Sequence, residues 1–454
     1  MARNAADGEV QVDGDVAGLQ SSAEFDEDAF GALIEALPER VFGVPGSQTT
    51  DFEALTLARA PHQAFVKLRE DHGALLEVRD GHVCGEVFPQ TVGFPPDASI
   101  FLILDYETAV EMVAQPAEIL SMEKAIPSHA ATWGRVLGFV EGDDHRRFRR
   151  ALDKAVFGRK VMEERADELL KPAADYLVRR LAAKIARGDV GDAKRDLALP
   201  MVYKPVSRLI GVPEEGFAHF MPLCEAALLA PWDAVAARCA MEDLGTFFEG
   251  ELEHRKTCPA DDIISKLLQS MGDKASMSEA EIVAHARFLL PAGLDTTRFT
   301  TTNMLAALML HPEQYQDLVC DPDLIPQAVE ECQRWLPAAT AGGMRCVLQD
   351  TTLAGTRIPA GSYVSTIFPA INRDPKRWDE PERFDIHRDP NPEHFGFSVG
   401  RHYCIGQNLA RQVMRHLLHA LVTQLPDLRL AIPASEVKIQ GMPLSNPVRL
   451  PLTA

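Results

Sequence analysis

Phe397-Ser398-Val399-Gly400-Arg401-His402-Tyr403-Cys404-Ile405-Gly406 carries more chemistry than any other stretch of this chain. Gly400 and Gly406 bracket Cys404 where a backbone can lie flat against a ligand. Immediately downstream, Leu409, Val413, Leu417 and Leu421 recur every fourth residue, so a helix starts just past the thiol. The positive end of that helix and its unpaired amides favour a thiolate over a thiol, and they tune any metal the sulfur holds. A lone cysteine is more often an inert core residue. The weight therefore rests on the whole string and on its companions.

Upstream, Ser278 and Glu281 have capping-box spacing, and the helical pattern they open continues to Leu310, where His311-Pro312 stops it. Such a helix is about 48 Å long, enough to cross a whole domain. Its middle reads Pro291-Ala292-Gly293-Leu294-Asp295-Thr296-Thr297. Proline removes a backbone donor and glycine weakens the same turn, which predicts a helix broken at its centre beside an acid and two hydroxyls. Glu331 and Arg334 share one helix face at i, i+3, ahead of Ala370-Ile371-Asn372-Arg373-Asp374-Pro375 and Pro381-Glu382-Arg383-Phe384-Asp385. His145 and Arg149, at i, i+4 in a basic run, share another.

The rest of the chain sets bounds. It has 454 residues, 46% hydrophobic and 25% charged, which excludes collagen, disordered and small disulfide-scaffold classes. A net charge of −20 argues against nucleic-acid binding by phosphate neutralisation. Eight cysteines form no CxxC, the first thirty residues, with one Arg and no apolar core, do not read as a signal peptide, and no apolar run is long enough to span a bilayer. Reduced thiols, no membrane anchor and a cytoplasmic location are the expectation. Residues 1–45 read as an acidic, disordered N-terminal tail, and residues 46–454 as a single catalytic domain, mostly α with small β-sheets. Strand-like stretches are Ala74–Arg79, Ser99–Leu104, Thr351–Ile358, Tyr363–Ile367 and a region around Val437–Leu450.

Phe-x-x-Gly-x-His-x-Cys-x-Gly resembles the haem-ligand signature of the cytochrome P450 family, with Ser398 standing where many members have Gly. Ala292-Gly293-Leu294-Asp295-Thr296-Thr297 is similar to that family's oxygen-activation motif, and Glu331/Arg334 with residues 370–385 to its ExxR and meander. These motifs also follow the family's chain order from about residue 50 to 450.

The resemblance implies the P450 fold, with the long central helix crossing over a haem b whose iron is held by the Cys404 thiolate. It implies cofactor contacts from Phe397, Gly400, His402, Gly406, Ala292 and Gly293, and propionate binding by His145, Arg149, Arg345 and His402. Glu331, Arg334 and Arg383 would form a buried charge network. Thr296 would hydrogen-bond dioxygen and Asp295 would relay protons. The activity implied is insertion of one oxygen atom from O2 into a hydrophobic small molecule, with terpenoid-like, alicyclic, steroid and aromatic compounds as candidates. Electrons would come from a separate iron–sulfur ferredoxin and its reductase. Arg146, Arg147, Arg150, Lys154, Arg401 and Arg411 would form a basic patch steering an acidic donor.

The small residues Ala338-Ala339-Thr340-Ala341-Gly342-Gly343 would either leave room for substrate or be filled by neighbours; Pro443-Leu444-Ser445-Asn446 and the loop about Ser121–Trp133 are the other expected walls. Three alternatives stand beside this reading: a haem-thiolate peroxygenase or non-oxygenating haem enzyme, a haem-based sensor or carrier, and a zinc site using His402 and Cys404.

Overall fold

A computed structural model describes residues 25–35, 61–78, 82–83, 86–87, 98–125, 133–213, 216–228, 234–272, 276–388, 393–441 and 444–454. Along them run the helices α1 (Glu27–Glu35), α2 (Pro61–His72), α3 (Tyr106–Ala114), α4 (Gly142–Leu152), α5 (Arg159–Ala186), α6 (Leu199–Ile210), α7 (Phe217–Leu228), α8 (Ala234–Thr257), α9 (Ile263–Gln269), α10 (Glu279–Leu310), α11 (Pro312–Cys320), α12 (Ile325–Trp335) and α13 (Gln407–Gln424). The mostly helical architecture with small sheets matches the expectation.

The α10 helix is the axis. Ser278 Oγ accepts from the Glu281 amide and the Glu281 carboxylate accepts from the Ser278 amide, so both halves of the capping box form. His311 ends the helix and Pro312 opens α11. Contrary to the expected break, α10 is one uninterrupted helix through Pro291. The missing proline N–H costs a single ladder bond, and burial of nearly every side beyond Leu289 holds the helix together around it. The helices α6, α7, α8, α9, α12 and α13 all pack against α10.

A five-stranded sheet lies to one side, in the order 75–78, 100–103, 363–367, 341–347, 120–121. Strand 100–103 pairs parallel to 363–367 and the remaining neighbours are antiparallel. Leu102, Ile103, Val364 and Ile367 are all buried, a two-faced burial that explains their continuous apolar runs. A smaller sheet joins 429–430, 451–453 and 191–192. The expected strand Thr351–Ile358 is instead a hairpin of 351–353 and 356–358.

Part of the N-terminal segment departs from the tail expectation. In α1, Phe30 and Ile34 lie one helical turn apart and are buried against α5. Phe30 packs on Tyr176 with ring centroids 5.6 Å apart, and the Lys204 ammonium sits 5.1 Å over the Phe30 ring. Gly31 allows this approach, because a Cβ there would meet the Tyr176 hydroxyl at 2.6 Å. The two apolar anchors outweigh the acidic surroundings. The rest of 1–45 lies outside the described residues.

Candidate functional site

The Cys404 loop is folded by its own backbone. The Cys404 amide donates to the Phe397 carbonyl at 3.0 Å, the Tyr403 amide to Gly400 at 3.1 Å, and the Ser398 amide to Phe395 at 2.8 Å. Asn372 Oδ1 takes the Phe395 amide at 2.7 Å, tying the loop to the segment after the sheet. Gly400 has φ +77, and a Cβ there would press on Val113 at 3.4 Å. Ser398 has φ +60 with ψ −173, a region that suits glycine and strains a side chain.

Cys404 itself is accessible although its surroundings are crowded. Burial pushes its thiol up; the Gly406 amide, Arg149, Arg411 and the Gln407 amide pull the other way, favouring thiolate. The expected helix starts at Gln407. Arg411 stacks on the Phe397 ring at 4.4 Å and pairs with Glu330 at 2.6 and 2.7 Å. Burial opposes the Glu330 charge, but the bonds from Arg411 and His394 win and hold its carboxyl down at about 2.

Beside this loop, His145, His402 and Arg345 come together. The two imidazoles meet at 4.5 Å, tilted by 59°, and His145 Nε2 and Arg345 Nε are buried without a hydrogen bond. Burial and the His402 ring lower His145 to about 4, and burial with the Arg401 charge lowers Arg345 to about 10. A fourth member was not foreseen: Glu141, four residues before His145, lies 3.2 Å from His402 Nε2 and 3.7 Å from Arg401 Nη1. Its helix-entry position next to a basic run was the available signal. Arg149 adjoins the group but donates to the Tyr403 carbonyl and to Asp153.

On α10, every residue from Leu289 to Met309 is buried except three: Ala292, Gly293 and Thr296. At i, i+1 and i+4 they share one face, an accessible window in an otherwise enclosed helix. The Thr296 hydroxyl donates to the Ala292 carbonyl at 2.6 Å. Asp295 is turned away from that face, buried, with Oδ1 2.5 Å from Arg298 Nε. Burial raises its carboxyl against the opposing pull of Arg298.

His285, also unforeseen, clips α10 to the turn ahead of α4. Its Nδ1 faces the Glu281 carbonyl at 2.7 Å while Nε2 accepts the Leu137 amide at 3.0 Å, which sets the tautomer with the proton on Nδ1. Arg147 binds both oxygens of Glu281, at 2.6 and 3.0 Å.

Several expectations need correction. Glu331 and Arg334 are fully buried and doubly bonded at 2.7 Å, but the Arg383 side chain is 60% exposed and pairs with Glu380; only its carbonyl reaches Arg334. Arg388 takes its place, 3.2 Å from Glu331. The basic patch is thinner than expected, since Arg147, Arg401 and Arg411 turn inward to acids and Arg146 pairs with Asp143. At Gly342 a neighbour fills the side-chain direction, because a Cβ there would meet the Phe368 ring at 2.8 Å. Ser445 belongs to the interior, with its carbonyl accepting from Asn303 and its hydroxyl against His62. Pro443 and residues 126–132 lie outside the described residues. The zinc alternative lacks support, as no group of three or more His, Cys, Asp or Glu that could hold a metal occurs among the described residues.

A family model described as Cytochrome P450 matches residues 241–426. "Cytochrome P450 BJ-1 homolog" from Sinorhizobium fredii is 33% identical over 306 residues, covering 66% of this chain and 74% of the relative. The chain belongs to the cytochrome P450 family. "Mycinamicin IV hydroxylase/epoxidase" from Micromonospora griseorubida is also 33% identical, over 69% of this chain and 78% of its own length. Among solved P450 structures, the LnmA hydroxylase of the leinamycin pathway of Streptomyces atroolivaceus superposes with a TM-score of 0.73 at 28% identity, covering 89% of this chain and 99% of that one. The protein is thus an enzyme of the P450 monooxygenase family, whose members use a haem-thiolate iron, dioxygen and a redox partner. No described helix is long and apolar enough to cross a membrane. The residues present fit such a haem. Buried nitrogens without partners on His145 and Arg345, with the His402 ring beside them, suit its two carboxylates, and the accessible Cys404 sulfur suits its iron.

Proposed function

We propose that the chain is a haem b monooxygenase of the cytoplasm that inserts one atom of O2 into a hydrophobic small molecule, with electrons from a separate ferredoxin and its reductase. The observation that carries this reading is the window of Ala292, Gly293 and Thr296, the only accessible residues in the buried run of α10 from Leu289 to Met309. When bound, the haem supplies the oxygen chemistry. Cys404 ligates it through the thiolate that the Gly406 and Gln407 amides favour. His145, His402, Arg345 and the adjacent Arg149 hold its carboxylates, and Phe397, Gly400 and Gly406 shape the loop against it.

Thr296 orients dioxygen at the window, and its hydroxyl can exchange the Ala292 carbonyl for that partner. Asp295 supplies protons to the site from the buried side of the helix. A hydrophobic substrate fits the apolar surroundings of α10, and the relative named for mycinamicin IV supports a small organic molecule. Arg150, exposed on α4, is placed to meet an acidic ferredoxin. Residues 46–454 act as one catalytic domain.

The test is the absorption spectrum of the reduced protein under carbon monoxide. The long-wavelength Soret band of thiolate-ligated haem is expected, and its loss in Cys404→Ser. A short-wavelength band in the parent, or a band unchanged by the substitution, would overturn the ligand assignment.

A further inference from the structure

Asp295 needs a route to water, and its surroundings show one candidate. It is enclosed within the protein, with a side chain only 2% exposed. Its counter-charge, Arg298, is shared. Arg298 Nη2 lies 3.2 Å from Glu225 Oε1 on α7, a helix that packs across α10. Glu225 is the solvent-side member, 18% exposed.

The guanidinium uses different nitrogens for the two acids: Nη2 donates to Glu225, and Nε lies 2.5 Å from Asp295 Oδ1. One guanidinium therefore serves both carboxylates. Two carboxylates sharing one cation in a poorly solvated place cannot both stay ionised cheaply. Burial moves Glu225 up to about 7, with Arg298 opposing and Asp295 reinforcing the rise. Cys224, the neighbour of Glu225, is pushed up by burial and stays neutral. Lys194, whose ammonium donates to the Pro447 carbonyl at 3.1 Å, feels the same Arg298 and is lowered to about 8, chiefly by burial.

We propose that Glu225 is the solvent-side proton donor to Asp295, the two carboxylates exchanging Arg298 as their common counter-charge. This rests on the reading of Asp295 as proton supplier. One proton and no electrons move. The Glu225 carboxyl becomes a carboxylate as the Asp295 carboxylate becomes a carboxyl, Arg298 draws closer to Glu225, and Glu225 recovers its proton from water. Because α7 and α10 are separate elements, the Glu225–Arg298 contact also makes proton supply depend on how α7 sits. Glu225 acts through Asp295 and is a positioning and proton-loading residue.

The test uses the haem-loaded protein with dioxygen as the only co-reactant. Reoxidation of the reduced protein by dioxygen is timed in H2O and D2O from about pH 6 to about pH 9. The infrared band of protonated carboxyl groups is titrated in parallel. The parent is expected to slow as the pH rises past about 7, where a carboxyl band also disappears. Glu225→Gln, nearly isosteric, is expected to lack that band and to reoxidise about tenfold more slowly at the acid end, with a flat pH profile. Glu225→Asp should restore part of the slope. Parent-like kinetics and an unchanged band in Glu225→Gln, with Asp295→Asn slow, would overturn this proposal and leave the Asp295 reading standing. Parent-like kinetics in Asp295→Asn would overturn both.

Discussion

Two arginine–carboxylate pairs at i, i+3 lie buried on neighbouring helices, Glu331–Arg334 on α12 and Asp295–Arg298 on α10. They share spacing, residue chemistry and enclosure, yet differ in how fully their polar atoms are met. Arg334 bonds both Glu331 oxygens and the carbonyls of Asn372, Pro381 and Arg383, while Glu331 also takes the Asp385 amide and Arg388. Nothing there is free to move. Arg298 divides itself between two acids. Spacing makes a pair possible; the surrounding backbone decides whether it becomes a rivet or a relay.

The largest effect should come from breaking the rivet. Glu331→Gln is expected to cost about 3–5 kcal/mol, because it removes the carboxylate that bonds both guanidinium nitrogens of the fully buried Arg334. Asp295→Asn should cost less, under about 2 kcal/mol, since Arg298 keeps Glu225 as a counter-charge. Denaturant midpoints of the two variants check the contrast, and equal losses would erase it.

Much of this was legible in the sequence. The cysteine loop, the capping box, the ends of α10 and the Glu331–Arg334 pair follow from local rules acting over a few residues. What escaped depends on chain paths through irregular segments. Whether Arg383 or Arg388 reaches Glu331 has no periodic signature. Gly342 reads as empty space until Phe368, from another strand's end, fills it. The pairing of Asp295 with Arg298 had the right spacing in plain view, but Glu225 comes from a different helix, and no local pattern announces it.

A second expected effect sharpens the comparison with a group that is satisfied but neutral. Burial holds His285 down at about 4, against an ordinary 6.5. The unfolded chain therefore binds the proton first, so the stabilisation is complete above about pH 6.5 and drains away as the pH falls towards 4. Its full size is on the order of 3 kcal/mol. Denaturation measured between those limits should show a gentler decline in His285→Gln than in the parent.

The smallest effect has the opposite sign. Ser398→Gly relieves a side chain held at φ +60 and should stabilise by about 1 kcal/mol, read as a modest rise in melting temperature. No gain would mean that the Ser398 side chain compensates its own backbone.

The small sheet has a consequence for how the chain comes to be folded during its synthesis. Gly191 and Asp192, at the entrance to the turn that carries Lys194, pair with Leu452 and Pro451, made roughly 260 residues later. At about 5–20 residues per second, a ribosome delivers that partner tens of seconds after the first strand has emerged. Until then the Ala193 amide lacks the Leu450 carbonyl and Lys194 lacks the carbonyl of Pro447. Nascent chains of this enzyme must therefore leave this seam open until residues 447–452 have emerged, long after the central helix beside it is made.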